Sequence, residues 1–84
     1  MMNDKFEQIS MELVNKTNEL HFIQATLNNL ELVKKAQEAQ KEDGWSYFTS
    51  NTIHDFKDRS VLLERHIRSL KSTQEDLYKK LRQP

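Results

Sequence analysis

The sequence predicts an all-α fold, an antiparallel two-helix coiled-coil hairpin that dimerises into a four-helix bundle. Apolar residues recur at intervals of three and four in both halves of the chain, the spacing that keeps one face of a helix toward its neighbour. One glycine and one proline among 84 residues leave room for one sharp break, and we expect residues 1–84 to form one domain. The two apolar series, together called the inner seam, are Met2, Phe6, Ile9, Leu13, Leu20, Ile23, Leu27 and Leu30, then Ile53, Phe56, Leu63, Ile67, Leu70, Leu77 and Leu81.

The first helix is predicted at about residues 4–43. Asn3 and Asp4 are both competent N-caps for its start. Gly44 suits the left-handed residue that closes a helix, and Trp45 can then fold back as the apolar partner of that cap. We therefore predict that the chain reverses in a turn at about residues 44–51.

The second helix is predicted at about residues 52–82. Thr52 is the best N-cap, because Asp55 follows at the capping-box spacing and Ile53 opens the apolar series. Ser46 is the alternative, which would shorten the hinge to Gly44 and Trp45.

The register of the hairpin is predicted by pairing residues whose numbers sum to 90. This places Leu20 opposite Leu70, and it places the polar residues Lys16 and Gln74 in one layer. A polar layer lowers stability but penalises slipped pairings, so we interpret it as a device that fixes the register.

A second apolar stripe on the first helix predicts a partner interface. Its members are offset by two residues from the inner seam and so lie on the opposite face. A chain this short and without cysteine commonly needs oligomerisation to complete its core, so we expect a homodimer, an unidentified protein partner, or both. The predicted interface residues are Met11, Val14, Phe22, Ala25, Leu32 and Ala36.

Three aromatic residues cluster near the predicted turn: Trp45, Tyr47 and Phe48. They are expected to plug the open end of the hairpin. The alternative is an exposed contact for a partner, since Trp and Tyr dominate many interfaces.

Basic residues on the second helix predict an alternative function in nucleic-acid binding. Thirteen basic and thirteen acidic residues cancel over the whole chain, but residues 44–84 carry a net charge of +3. A basic strip can meet phosphates, although acidic residues interrupt this one. The candidate phosphate contacts are Lys57, Arg65, Arg68 and Lys71.

The sequence contains no recognisable signature of an enzyme, a cofactor site or a metal site. His21, His54 and His66 are not spaced to place two ligands on one helical face, and the only glycine is assigned to the turn. We also expect no membrane association and a cytoplasmic location, because no apolar run is long enough to cross a bilayer and the first residues do not have the layout of a signal peptide.

The chain resembles the WXG family of small secreted helical hairpins in its length and its aromatic turn. It departs from that family at Gly44-Trp45, where the family has Trp before Gly, and at Arg82, which stands four residues after Tyr78 where the family has an acid. No residue roles are carried over. The function best predicted is a non-enzymatic protein–protein interaction module, such as a small adaptor, regulator or inhibitor, with the nucleic-acid-binding hairpin second and the WXG-like hairpin third.

Overall fold

The chain forms two long helices joined by a very short loop. A computed structural model describes residues 2–82, with the side chains of residues 4–82, so the predicted seam residue Met2 lies outside the described side chains. Helix α1 spans Met2–Ala39 and helix α2 spans Asp43–Arg82. They pack against each other in a rod of 66 × 14 × 14 Å. The predicted all-α antiparallel hairpin is confirmed.

The core lies along the predicted inner seam. Burial is deepest at Ile23, which is 1% exposed and carries the largest fully buried side chain among the described residues. Helix α2 supplies four further buried apolar side chains at intervals of three, four or their sums: Ile53, Leu63, Ile67 and Leu70. Each apolar residue so buried contributes about 1.5–3 kcal/mol. The heptad spacing therefore identified the packed face of each helix, but Leu81, the last residue of the predicted seam, is 37% exposed and lies outside the core.

The chain reverses at residues 40–42, so the predicted turn at 44–51 is wrong. Lys41 has a φ of 59°, the left-handed conformation that closes a helix. Its N–H donates to the Glu38 carbonyl at 3.1 Å, and the Glu42 N–H donates to the Gln37 carbonyl at 2.8 Å. This pair of bonds is the Schellman motif, and it ends α1 at Ala39 rather than near residue 43.

Helix α2 starts at Asp43, nine residues earlier than the predicted start at Thr52. The Glu42 carbonyl accepts the first bond of the new helix, from the Ser46 N–H at 2.9 Å. Ser46 and Thr49 are 8% and 5% exposed, and they continue the inner seam toward the loop at the spacing of three and four. The prediction failed here because it followed apolar residues, whereas the first two seam positions of α2 are small and polar.

The position of the turn predicts that Gly44→Ala stabilises the hairpin. Gly44 lies in the first turn of α2 without a positive φ, and a methyl group there would meet nothing within 4 Å. Alanine restricts the unfolded chain and favours the helix, which is worth about 0.5–1 kcal/mol. We expect thermal unfolding followed by circular dichroism to show a rise of several degrees. A fall in melting temperature would mean that Gly44 occupies a left-handed turn after all.

The register differs from the predicted pairing by close to one heptad. The Gln74 amide Nε2 donates to the Ser10 hydroxyl at 2.9 Å, and the rings of Phe6 and Tyr78 lie 6.5 Å apart. The residue numbers in both pairs add to 84 rather than 90. Leu63, rather than Leu70, is therefore close to the level of Leu20.

The predicted polar layer is absent as a consequence. Gln74 bonds Ser10, while the Lys16 ammonium lies 3.7 Å from the Glu19 carboxylate on its own helix. A three-residue loop fixes the register of an antiparallel pair, because residues at equal distances from the loop must face each other. A heptad pattern is unchanged by a shift of seven, so the spacing alone could not distinguish the two registers.

Candidate partner interface

The predicted interface residues lie together on the outer face of α1, pointing away from α2. Exposure is 67% for Met11, 69% for Phe22 and 64% for Leu32, while Val14 is 58% exposed. Ala25 and Ala36 are also exposed. In a hairpin monomer these side chains remain in water, so α1 has one apolar face buried against α2 and a second that is free.

The outer face follows the same spacing rule as the inner seam. Starting at Met11, exposed positions recur alternately every four and three residues as far as Ala39, and none of them is charged. We call this set the outer seam: Met11, Asn15, Asn18, Phe22, Ala25, Asn29, Leu32, Ala36 and Ala39. Uncharged residues spaced four and three apart present one face of a helix to a neighbouring helix, and asparagines at such positions fix the register at a cost in stability.

Two features of this face were missed in the sequence analysis. Asn15 fills the gap between Met11 and Asn18, and Val33, which is 45% exposed, flanks the outer seam on one side as Val14 does on the other. The spacing of four residues from Met11 to Asn15 and three from Asn15 to Asn18 could have identified Asn15 from the sequence. Met11, Val14 and Asn15 also line an open groove together with Ser10.

The aromatic cluster does not plug the end of the hairpin, so that expectation is wrong. Trp45, Tyr47 and Phe48 are 64%, 72% and 64% exposed. Because α2 begins at Asp43, Ser46 occupies the seam position and the aromatic residues beside it face outward. Trp45 and Phe48 pack edge to face with ring centroids 6.3 Å apart, whereas Tyr47 lies on another side of the helix.

The closed end of the hairpin is instead filled by polar side chains. The Thr49 hydroxyl donates to Gln37 Oε1 at 2.7 Å, and the Ser46 hydroxyl lies 3.4 Å from Glu38 Oε1. No described buried side-chain nitrogen or oxygen lacks a hydrogen-bond partner. These polar layers are therefore satisfied and hold the two helices together next to the loop.

The candidate phosphate contacts Lys57, Arg65, Arg68 and Lys71 are all exposed on α2. Lys57 is already engaged, with its ammonium 3.8 Å from the Glu31 carboxylate of α1. Lys71 lines an open groove with Leu13, Val14, Thr17 and Asn18 of α1, while Arg65 and Arg68 are exposed on α2.

Within residues 2–82, no group of three or more His, Cys, Asp or Glu side chains is arranged to hold a metal ion. Neither α1 nor α2 is long and apolar enough to cross a membrane. The grooves between the helices are shallow and open, for example the one lined by Glu19, Arg59 and His66.

Compared with protein-family models, curated proteins and solved structures, the chain has no match. The aromatic turn on which the resemblance to the WXG family rested is also absent, because Trp45 lies within α2. The function is therefore inferred from the surface residues of the hairpin.

Proposed function

We propose that this chain is a non-enzymatic protein–protein interaction module whose binding surface is the outer seam of α1. The observation that carries the proposal is the uncharged, heptad-spaced stripe from Met11 to Ala39 on an exposed helix face. Such a stripe offers knobs and holes to another helix over about 40 Å, at 1.5 Å per residue. The module would act as an adaptor, regulator or inhibitor by docking a helix of its partner.

The distribution of charge within α1 supports this proposal. The charged residues of α1 lie outside the nine positions of the outer seam. An ordinary solvated helix face would carry charges there, since Lys, Glu, Arg and Asp are the residues most often exposed. An uncharged stripe with exposed apolar side chains at Met11, Phe22 and Leu32, rimmed by charged residues, is more typical of an interaction site.

Nucleic-acid binding by α2 has weaker support. Phosphate binding requires several cations that act together, whereas here the carboxylate of Glu31 lies 3.8 Å from the Lys57 ammonium and Glu64 and Glu75 interrupt the basic flank. Nucleic-acid binding therefore has less support than protein binding, and a crosslinking experiment distinguishes the two.

The decisive experiment is site-specific photo-crosslinking in the cells that make the protein. A photoreactive phenylalanine analogue would replace Leu32 on the outer seam of α1 or, as a control, Leu62 on the exposed side of α2. Both leucines are similarly exposed, at 64% and 62%. We expect protein adducts from position 32, loss of those adducts when Phe22→Glu is added, and few adducts from position 62.

Three results would contradict the proposal. Equal adducts from the two positions would mean that the outer seam has no special affinity for protein. Adducts at position 32 that survive Phe22→Glu would mean that the seam does not select the partner. Adducts of nucleic acid rather than protein would support the basic flank instead.

A further inference from the structure

We propose that the occupant of the outer seam is a second copy of this chain, docked antiparallel so that Phe22 lies against Ala25 of the second copy. This inference rests on the proposed function, since it names the partner of the same surface. It predicts a two-fold symmetric dimer in which the two α1 helices are central and each α2 lies on the outside.

The outer seam is complementary to itself in this register. Phe22 faces Ala25 and Met11 faces Ala36 of the second copy, so a large side chain meets a small one in both pairs, while Leu32 faces Asn15. Asn18 faces Asn29, so the amides of two seam asparagines are placed to satisfy each other across the interface. A closed dimer with two-fold symmetry uses the same patch on both copies, and each of these pairs therefore occurs twice.

Charges beside the seam favour the antiparallel orientation. In the inner seam, flanking residues already meet across the helices, with His66 Nε2 3.4 Å from Glu12 Oε1. The same geometry at the outer seam brings Glu7 of one copy to Lys35 of the other, twice in the dimer. On the other side of the seam, Glu19 of one copy meets Val33 of the other, so like charges do not meet there.

A parallel pair is disfavoured by the same positions. Side chains that flank a parallel seam meet five residues apart, which brings Glu7 of one copy to Glu12 of the other, again twice. Like charges at a packed helix interface are destabilising and help to exclude the wrong orientation. The antiparallel dimer pairs opposite charges, whereas the parallel dimer pairs like charges. The antiparallel dimer is therefore the more stable of the two.

The geometry also sets the shape and strength of the pair. The two seams of α1 are on opposite faces, so a dimer joined there is a row of four helices, more open than the four-helix bundle predicted from sequence. A contact about 40 Å long and one helix diameter wide buries on the order of 1,000 Å² in total. This lies at the lower limit of specific interfaces, and we expect reversible dimerisation at micromolar concentration.

Sedimentation equilibrium of the purified full chain tests the association. We expect a monomer–dimer equilibrium that Phe22→Glu weakens by about tenfold or more, because a carboxylate would be buried without a counter-ion. Leu62→Glu is the matched control, since it places the same charge on a similarly exposed apolar position of α2, 62% against 69% for Phe22. It should leave the equilibrium unchanged, and both variants should remain helical.

Disulfide trapping tests the orientation. The chain has no cysteine, so each single substitution introduces one thiol. Mixing the Glu7→Cys and Lys35→Cys chains should give a mixed disulfide on mild oxidation. The Leu32→Cys chain should not link to itself, because the two copies of residue 32 are far apart in the antiparallel pair.

The outcomes separate this inference from the proposed function. Self-linking of Leu32→Cys without the mixed disulfide would show a parallel dimer and overturn the proposed orientation. A chain that stays monomeric at high micromolar concentration overturns the second copy as the partner. In that case, protein adducts from position 32 in cells would still support the interaction module, and their absence would remove both.

Discussion

Ile23→Ala is expected to destabilise the hairpin by about 2–5 kcal/mol, the range found when a large buried aliphatic side chain is removed. Ile23 is 1% exposed and faces α2 at the centre of the rod. A core this small supplies only about 3–5 kcal/mol of net stability, so the substitution should unfold most of the isolated hairpin. Circular dichroism and urea denaturation of a dilute sample would measure the loss.

The adjacent residue provides a matched control. Phe22 is 69% exposed on the opposite face, and Phe22→Ala removes a larger side chain than Ile23→Ala does. In a dilute monomer it should change the free energy of unfolding by no more than about 0.5 kcal/mol. If the two substitutions were equally destabilising, the faces of α1 would not be assigned as the structure places them. Dilution matters because dimerisation through the outer seam would itself stabilise the folded chain.

The inner face of each helix could be predicted from sequence because the driving force is apolar burial, which follows the period of the helix. Ile23, Leu63 and Leu70 are buried as the spacing indicates. The outer stripe was predicted on the same ground, and its members are exposed on one face of α1. Both successes depend on periodicity alone.

The loop could not be predicted because its residues do not follow the usual preference for glycine at the left-handed position that ends a helix. A lysine occupies the left-handed position at Lys41, where glycine would be expected, and the only glycine lies in the first turn of α2. A left-handed conformation costs free energy at a lysine. The backbone hydrogen bonds of the Schellman motif and the burial of Ser46 and Thr49 in the inner seam offset that cost at Lys41. That displacement of the turn moved the register and turned the aromatic residues outward.

The polar layer at Gln37 and Thr49 is expected to behave as a coupled pair. Thr49 is 5% exposed and its hydroxyl donates to Gln37 Oε1 at 2.7 Å. Thr49→Val removes the donor and should cost about 0.5–1.5 kcal/mol. Gln37→Leu leaves the buried hydroxyl without its side-chain acceptor, which should offset much of the gain from the added apolar surface.

The double variant Gln37→Leu/Thr49→Val should have a free energy of unfolding about 1–3 kcal/mol higher than the summed effects of the two single substitutions would give. Both polar partners are then removed together, and residues 37 and 49 form an apolar layer that continues the core from Ile53. Denaturant unfolding of the four chains gives the coupling energy directly. Additive effects would mean that the hydrogen bond contributes nothing to stability. A double variant less stable than either single one would mean that the closed end of the hairpin requires polar side chains next to the loop.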